Sequence, residues 1–592
     1  MIAGAGKRRR WALLLLALLS TCAAAAADPN KVLRVALPDV DTLDPQQATT
    51  VSAQRVIQAI YEGLYNWDYL NTPAGLVPVT ATGPPQISDG GKTWRINLKP
   101  GIHFTDDPSF HGKARELVAD DYIYAMKRRL DPNLSRGGDT VMADLIIGAR
   151  AAVDAAKRPG AKFDYDRPIE GLRALGRYAL EIKLNAINYP SVQVFLTVQA
   201  VAREVLESAG GDIRTRAVGT GPYRLREWKR GSKIVLEANP DYRTLRFPAS
   251  SSPADTELLR TMRGRALPQI GVIDISIIEE DTTLLLEFER GALDYVELRA
   301  EIANRLLAND KLKPEYTARG IVRHARLEPF LFFVDFNMID PVIGGMSNDK
   351  IALRRAIAMG LNTQNLVDVV YAGQGQPANQ MIPPGVSGHD PEAPAKSLYD
   401  PAAAQALLDR FGYHKRDADG YRQMPDGKPL TVVLSLRAAA ISREMQTLWK
   451  RDMDAIGIRI DFRVAPFQDF VKDLIAGKYQ MSAAGFGGIP TGDGILELLD
   501  SRQPPFANQS RFKSAEYDQW VDRFLRTTAP SEQVAAARRM NEMARAYMPL
   551  LPTIFRREND FVQPWLLGFR PQVFSTYWQF MDIDLDRKKR AG

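Results

Sequence analysis

The stretch Gly485-Phe486-Gly487-Gly488-Ile489-Pro490-Thr491-Gly492-Asp493-Gly494 concentrates residue types that a ligand site needs. Glycine lets a backbone approach a ligand closely, Phe486 offers an apolar wall, and Asp493 offers a charge that can meet a cation. A buried ammonium without a carboxylate partner is costly, so a pocket for a zwitterion requires such a group. The same composition also describes a flexible loop with a solvated aspartate, and composition does not separate the two. Thr49 and Thr50, taken locally, read as a helix N-cap.

Covalent and metal chemistry find less support. His103, His111, His324, His389 and His414 are scattered, with no His-Glu-x-x-His pair and no Gly-x-Ser-x-Gly elbow. Asp89-Gly90-Gly91-Lys92-Thr93-Trp94 contains a Gly-Lys-Thr, but the first glycine of a phosphate loop would fall at Gln86. Gly373, Gly375 and Ala378 approximate a dinucleotide fingerprint, yet they follow a helix rather than a strand. We expect no catalytic residues, no cofactor and no metal. A secreted hydrolase assembled from residues distant in sequence is the remote alternative.

The elements around the glycine-rich stretch are legible. Leu430–Leu436 is expected as a strand, Ile441–Ile456 as an amphipathic helix ended by Gly457, and Ile458–Val464 as a strand. Phe467–Ile475 then forms a helix and Gln480–Ala484 a strand. That β-α-β-α-β order specifies a parallel, helix-covered sheet. Ligands of such sheets bind beyond the carboxyl ends of the strands, where Gly485–Gly494 begins. Upstream, Lys31–Leu37 is a strand, Gln54–Leu64 carries apolar residues at helical spacing, and Trp94–Leu98 is a strand. A helix opens at Ala119 and runs to Leu130. The segment Arg150–Gly176 shows no regular pattern. Gly219, Gly221 and Pro222 form a tight turn, with glycine permitting positive φ, before a hairpin of Tyr223–Trp228 and Lys233–Ala238.

Composition sets the class. A chain of 592 residues with 45% hydrophobic and 25% charged residues is globular and long enough for several domains. Its formal charge of +7 falls to +3, 73 basic against 70 acidic residues, once residues 1–27 are set aside. No basic stripe remains, so no nucleic-acid partner is expected. Lys7–Arg10, the apolar Trp11–Leu19 and the alanines Ala23–Ala27 read as an export signal cleaved before Asp28. Cleavage there removes Cys22, the single cysteine, and with it disulfides and Cys-ligated metals. The competing reading is a lipoprotein signal, Leu19-Ser20-Thr21-Cys22, with Cys22 lipidated.

The string Ala217–Arg243, AVGTGPYRLREWKRGSKIVLEANPDYR, resembles the signature of the family-5 extracellular solute-binding proteins, receptors of bacterial ABC importers. Leu43-Asp44-Pro45 with Tyr61-Glu62-Gly63-Leu64, Asp89–Trp94, Lys99–Phe104, Ala119–Tyr122 and Phe332–Ile357 are similar to further segments of that family, over nearly the whole mature chain. The resemblance implies an α/β fold, a two-lobed periplasmic binding protein (type II) with an extra domain inserted in the first lobe. It places the signal at 1–27, lobe I at 28–62, 205–325 and 549–592, the extra domain at 63–204, and lobe II at 326–548. It further implies a monomer in the periplasm that closes on a small-molecule or peptide ligand and delivers it to an ABC permease in the inner membrane.

The resemblance puts Thr49, Thr50, Phe486 and Asp493 at the ligand. In peptide-binding relatives a Trp precedes an acidic run whose aspartate pairs with the peptide α-ammonium. Here Phe486 replaces the Trp, Ile489 occupies the commonest aspartate position, and Asp493 is the nearest acid. Peptides are the main expectation. A non-peptide solute (heme, a nickel chelate, an opine or an oligosaccharide) or a periplasmic sensor or chaperone role stays open.

Overall fold

The computed structural model describes residues 27–591 apart from 72–74, 135–137, 251, 395–397, 440, 489 and 572–576. The expected export segment, Cys22 included, lies outside these residues except for Ala27. No helix among the described residues is long and apolar enough to cross a membrane.

Three sheets organise the chain. The first is four-stranded in the order Asp28–Leu37, Ile270–Ile277, Lys233–Ala238, Tyr223–Lys229. Its first pair is parallel and the others are antiparallel. The second is an antiparallel four-stranded sheet, Gln86–Ser88, Thr93–Asn97, Ala179–Lys183 and Leu172–Gly176. One continuous apolar core joins these two sheets and the helix Ala119–Leu130.

The third sheet is seven-stranded, and two of its strands are long: Val322–Phe336 and Leu550–Val562. Strand periodicity explains its double cover. Leu331 and Phe333 point into one apolar cluster, whereas Val334 and Phe336 point into another on the opposite face. The expected β-α-β-α-β run is present as Thr431–Arg437, Ser442–Ala455, Arg459–Ala465, Phe467–Ile475 and Met481–Gly487. Thr431–Arg437 is parallel to both of the other strands.

Three local expectations are corrected. Arg150–Gly176 is not irregular: Ala149–Ala156 is a helix that buries Ala149, Ala152, Val153 and Ala156, and Leu172–Gly176 is a strand. The glycine-rich loop begins later than expected, because Gly485, Phe486 and Gly487 continue the strand and pair with Phe332, Leu331 and Phe330. Gly219 and Gly221 do not adopt positive φ. They are required by close approach instead. A Cβ at Gly219 would sit 2.0 Å from the Ile60 carbonyl oxygen, and one at Gly221 would sit 2.6 Å from it. The Gly221 amide donates to that oxygen at 2.8 Å.

The signature turn is thus pressed against the carboxyl end of the helix Val51–Ile60, whose amino end carries Thr49 and Thr50. Gly219→Ala must push two backbones apart, which we expect to lower stability by about 1–3 kcal/mol or more. Thermal unfolding checks this: an unchanged midpoint would show that the contact is slack.

Candidate functional site

A cleft of about 1120 Å³ opens beside the helix Val51–Ile60 and the short strand pair Tyr65–Trp67 and Leu76–Pro78. Its wall includes Thr49, Thr50, Arg55, Lys99 and Arg243, and Gly488 and Pro490 reach it from the loop after Met481–Gly487. Both sequence-chosen regions therefore meet at one cavity, although not through all four chosen side chains. Thr49 and Thr50 line it. Phe486 and Asp493 are not among its lining residues in this arrangement; they stand two residues before Gly488 and three after Pro490.

Thr50 is the helix N-cap and also lines the cleft. Its side chain accepts the Ala53 amide at 3.1 Å as the N-cap of Val51–Ile60, and its hydroxyl donates to Asp41 at 3.0 Å. Thr49 donates to the other Asp41 oxygen at 3.3 Å. The loop is anchored from below by Asp44, which is fully buried. Its oxygens accept two Arg128 bonds at 2.9 and 2.7 Å and one from Gln47 at 2.7 Å, while its carbonyl accepts the Gln47 and Ala48 amides. The Leu43-Asp44-Pro45 motif is therefore the foot of the Thr49–Thr50 loop.

A second motif junction lies further along the wall. The Glu62 carboxylate accepts Arg243 through both oxygens at 2.7 and 2.8 Å, Thr220 at 2.9 Å and Tyr242 at 3.0 Å. Tyr61-Glu62-Gly63-Leu64 and both ends of the Ala217–Arg243 signature converge on this one group. Sequence reasoning quoted these residues as a string but missed their place in the cleft wall. The Glu62 and Arg243 charges inside the two motifs were the available signal.

The wall ends in an aromatic group. Tyr69 stacks on Phe580 with ring centroids 4.6 Å apart, and Tyr577 and Phe247 meet Tyr69 edge-on. Beside it, Gln579 lines the cleft and its side-chain oxygen is buried with no hydrogen-bond partner among the described residues. No local sequence pattern pointed to this end, because Tyr69 and Phe580 are far apart in the chain.

At the loop, Asp493 opens the short helix Asp493–Leu496 behind Gly492. Thr491 donates to its carboxylate at 2.6 Å. Burial raises the Asp493 carboxyl above the usual range, despite that bond. Glu497, one turn on, is pushed up to about 8 by burial and by the neighbouring Asp493 and Asp500. Burial thus disfavours the charged form of both carboxyls, and a cation brought beside them would favour it.

The cleft floor meets the long strands through Arg55, which pairs with Glu297 at 2.8 Å. Glu297 in turn meets Arg326 at 3.2 Å, and Arg326 also pairs with Glu558 and Asp560. Among the described residues, no group of three or more His, Cys, Asp or Glu could hold a metal ion. The arrangement offers polar and aromatic contacts and charge partners around a large cavity.

Comparison with known proteins agrees with this geometry. The family described as bacterial extracellular solute-binding proteins, family 5 Middle, matches residues 75–504. Di/tripeptide-binding protein 2 of Pseudomonas aeruginosa (strain UCBPP-PA14) is 23% identical over 98% of this chain and 99% of its own. The glutathione-binding protein GsiB of Salmonella typhi is 23% identical over 97% and 98%. Among solved structures, the murein tripeptide-binding protein MppA in its unliganded open form is similar with a TM-score of 0.70 at 19% identity, covering 95% of this chain and 99% of that one. The binding protein DppA of Helicobacter pylori in complex with the peptide STSA gives 0.63 at 19% identity, covering 93% and 98%. The fold is the two-lobed α/β type II binding-protein fold.

Proposed function

Because this chain belongs to the family 5 bacterial extracellular solute-binding proteins, we propose that it is the exported receptor of an ABC importer and binds short peptides in the cleft. The observation that carries this reading is the cleft itself. At about 1120 Å³ it stands at the upper end of small-molecule sites, roughly 300–1,000 Å³. Its wall supplies the hydroxyls of Thr49 and Thr50 and the side chain of Gln579. The names of the relatives, binding proteins for di/tripeptides and for glutathione, support the same class. The role is binding rather than catalysis.

In this reading residues 28–62, 205–325 and 549–592 form lobe I, with 63–204 inserted, and 326–548 form lobe II. Among the described residues, Gly488 and Pro490 are those that reach the cleft from lobe II. Closure brings Phe486 and Asp493 onto the ligand, with Asp493 meeting its ammonium. Its driving force is the set of contacts made only in the closed state. The receptor works as a monomer in the periplasm and hands its ligand to a permease. Identification of the ligand that co-purifies with the protein tests the proposal. Short peptides are expected, and a single non-peptide solute would overturn the peptide class while leaving the receptor fold.

A further inference from the structure

Lys99 is a cation of the cleft wall without an ion-pair partner among the described residues, as is Arg246, which donates to the Gly264 carbonyl. The Lys99 ammonium donates to the Val79 carbonyl at 2.8 Å. The nearest carboxylate, Glu62, is already occupied. Arg243 takes both of its oxygens, and Thr220 and Tyr242 fill the remaining acceptor positions. A carboxylate offers about four lone-pair sites, so no place is left for Lys99.

Arg243 reaches the same Val79 carbonyl at 3.3 Å, which holds two cations against one neutral oxygen. Its guanidinium lies 4.8 Å from the centre of the Tyr242 ring, so it cannot swing away without losing that contact. Burial and the adjacent Arg243 lower the Lys99 ammonium below its ordinary value, although the Glu62 charge works the other way. Lys99 and Arg243 line the cleft. With the Arg243 charge met by Glu62, the Lys99 ammonium is the group here that an incoming anion can pair with.

We propose that Lys99, backed by Arg243, is a carboxylate subsite of the cleft, so that the receptor selects ligands by a negative charge as well as by an ammonium. The proposal deepens the peptide reading and rests on it. Both a side-chain carboxylate and a peptide C-terminus carry the required chemistry. An ammonium placed against a carboxylate makes charge-assisted hydrogen bonds, the stronger class, and Lys99 has donors to spare once Val79 is satisfied.

Calorimetric titration of wild type, Lys99→Met and Lys99→Arg with Ala-Glu-Ala, Ala-Gln-Ala and the C-terminal amide of Ala-Glu-Ala tests this, with glutarate as a non-peptide probe. Wild type is expected to lose roughly tenfold or more in affinity when the relevant carboxylate is removed. Lys99→Met should lose that discrimination and Lys99→Arg should keep it. The peptide whose disadvantage vanishes in Lys99→Met identifies the source: Ala-Gln-Ala for the side chain, the amide for the C-terminus. Discrimination unchanged in Lys99→Met, or absent from wild type that binds all three, overturns the subsite. If no peptide binds, the peptide reading fails and glutarate decides. Glutarate binding that Lys99→Met abolishes upholds the subsite, and any other glutarate result overturns it.

Discussion

Asp493→Ala is expected to weaken a free-amine ligand by about 2–5 kcal/mol, the cost of leaving a buried charge without its partner. That is roughly a 30-fold to few-thousandfold rise in Kd. An N-acetylated ligand should bind wild type and variant alike, because it brings no ammonium. The raised carboxyls of Asp493 and Glu497 add a pH signature. A protonated carboxyl attracts an ammonium poorly, and Glu497 is pushed up to about 8, so affinity should fall as pH drops through that value. Above about 8 the ligand's own α-amine loses its proton, near 7.7–8.0, and affinity falls again. Asp493→Ala should flatten the acidic limb.

The same shift fixes the sign for stability. A carboxyl raised in the folded chain costs stability progressively as pH rises above its unfolded value of about 3.9. At pH 7 Asp493→Ala is therefore not expected to melt lower than wild type, and a loss of affinity cannot be assigned to unfolding. Calorimetric titration across pH, with thermal unfolding of both proteins, makes the measurement. Unchanged affinity in Asp493→Ala would remove Asp493 from the site.

Arg128→Met is expected to cost about 3–5 kcal/mol of stability, because it strands a buried carboxylate. Arg128 and Asp44 are 2% and 0% exposed, and Arg128 also donates to Gln46 at 2.7 Å. The double variant Asp44→Asn with Arg128→Met should recover part of that loss, since the unpaired charge is gone. Denaturant unfolding of both single variants and the double closes the cycle. Additive losses would show that the pair does not couple. The Thr49–Thr50 loop stands on Asp44, so Arg128→Met should also weaken ligand binding beyond what unfolding explains.

The parts of the fold that were legible in the sequence are those with local causes. Periodicity placed Phe467–Ile475 and Ala119–Leu130 at their observed bounds, and the alternation of strand and helix after Leu430 specified the parallel strands. Local pattern failed where tertiary contact decides. Glycine at 219 and 221 suggested unusual φ, whereas the reason is a carbonyl pressed against the turn from the helix Val51–Ile60. Gly485–Gly487 looked like loop because glycine weakens a strand, yet pairing with Phe330–Phe332 supplies the ladder. The run at Ala149–Ala156 did carry a helical spacing of small apolar residues, which was overlooked in a stretch dominated by charge and proline.

The cleft was legible only in part. Thr49 and Thr50 were within reach through the family resemblance, because the local pattern alone shows a helix N-cap. Lys99, Arg243 and Gln579 were not, because each matters through partners remote in the chain. Glu62 meets Arg243 across 181 positions. A motif read as a string does not reveal that its charges cancel each other, nor that one lysine is left over.

The central claim is that this receptor carries peptides, and the most direct test is native mass spectrometry of the protein purified from its own export compartment. Any bound molecule is released and identified. The account predicts a set of short-peptide masses with free amino termini, enriched in acidic residues if Lys99 takes a side-chain carboxylate. A single non-peptide mass in their place would contradict it.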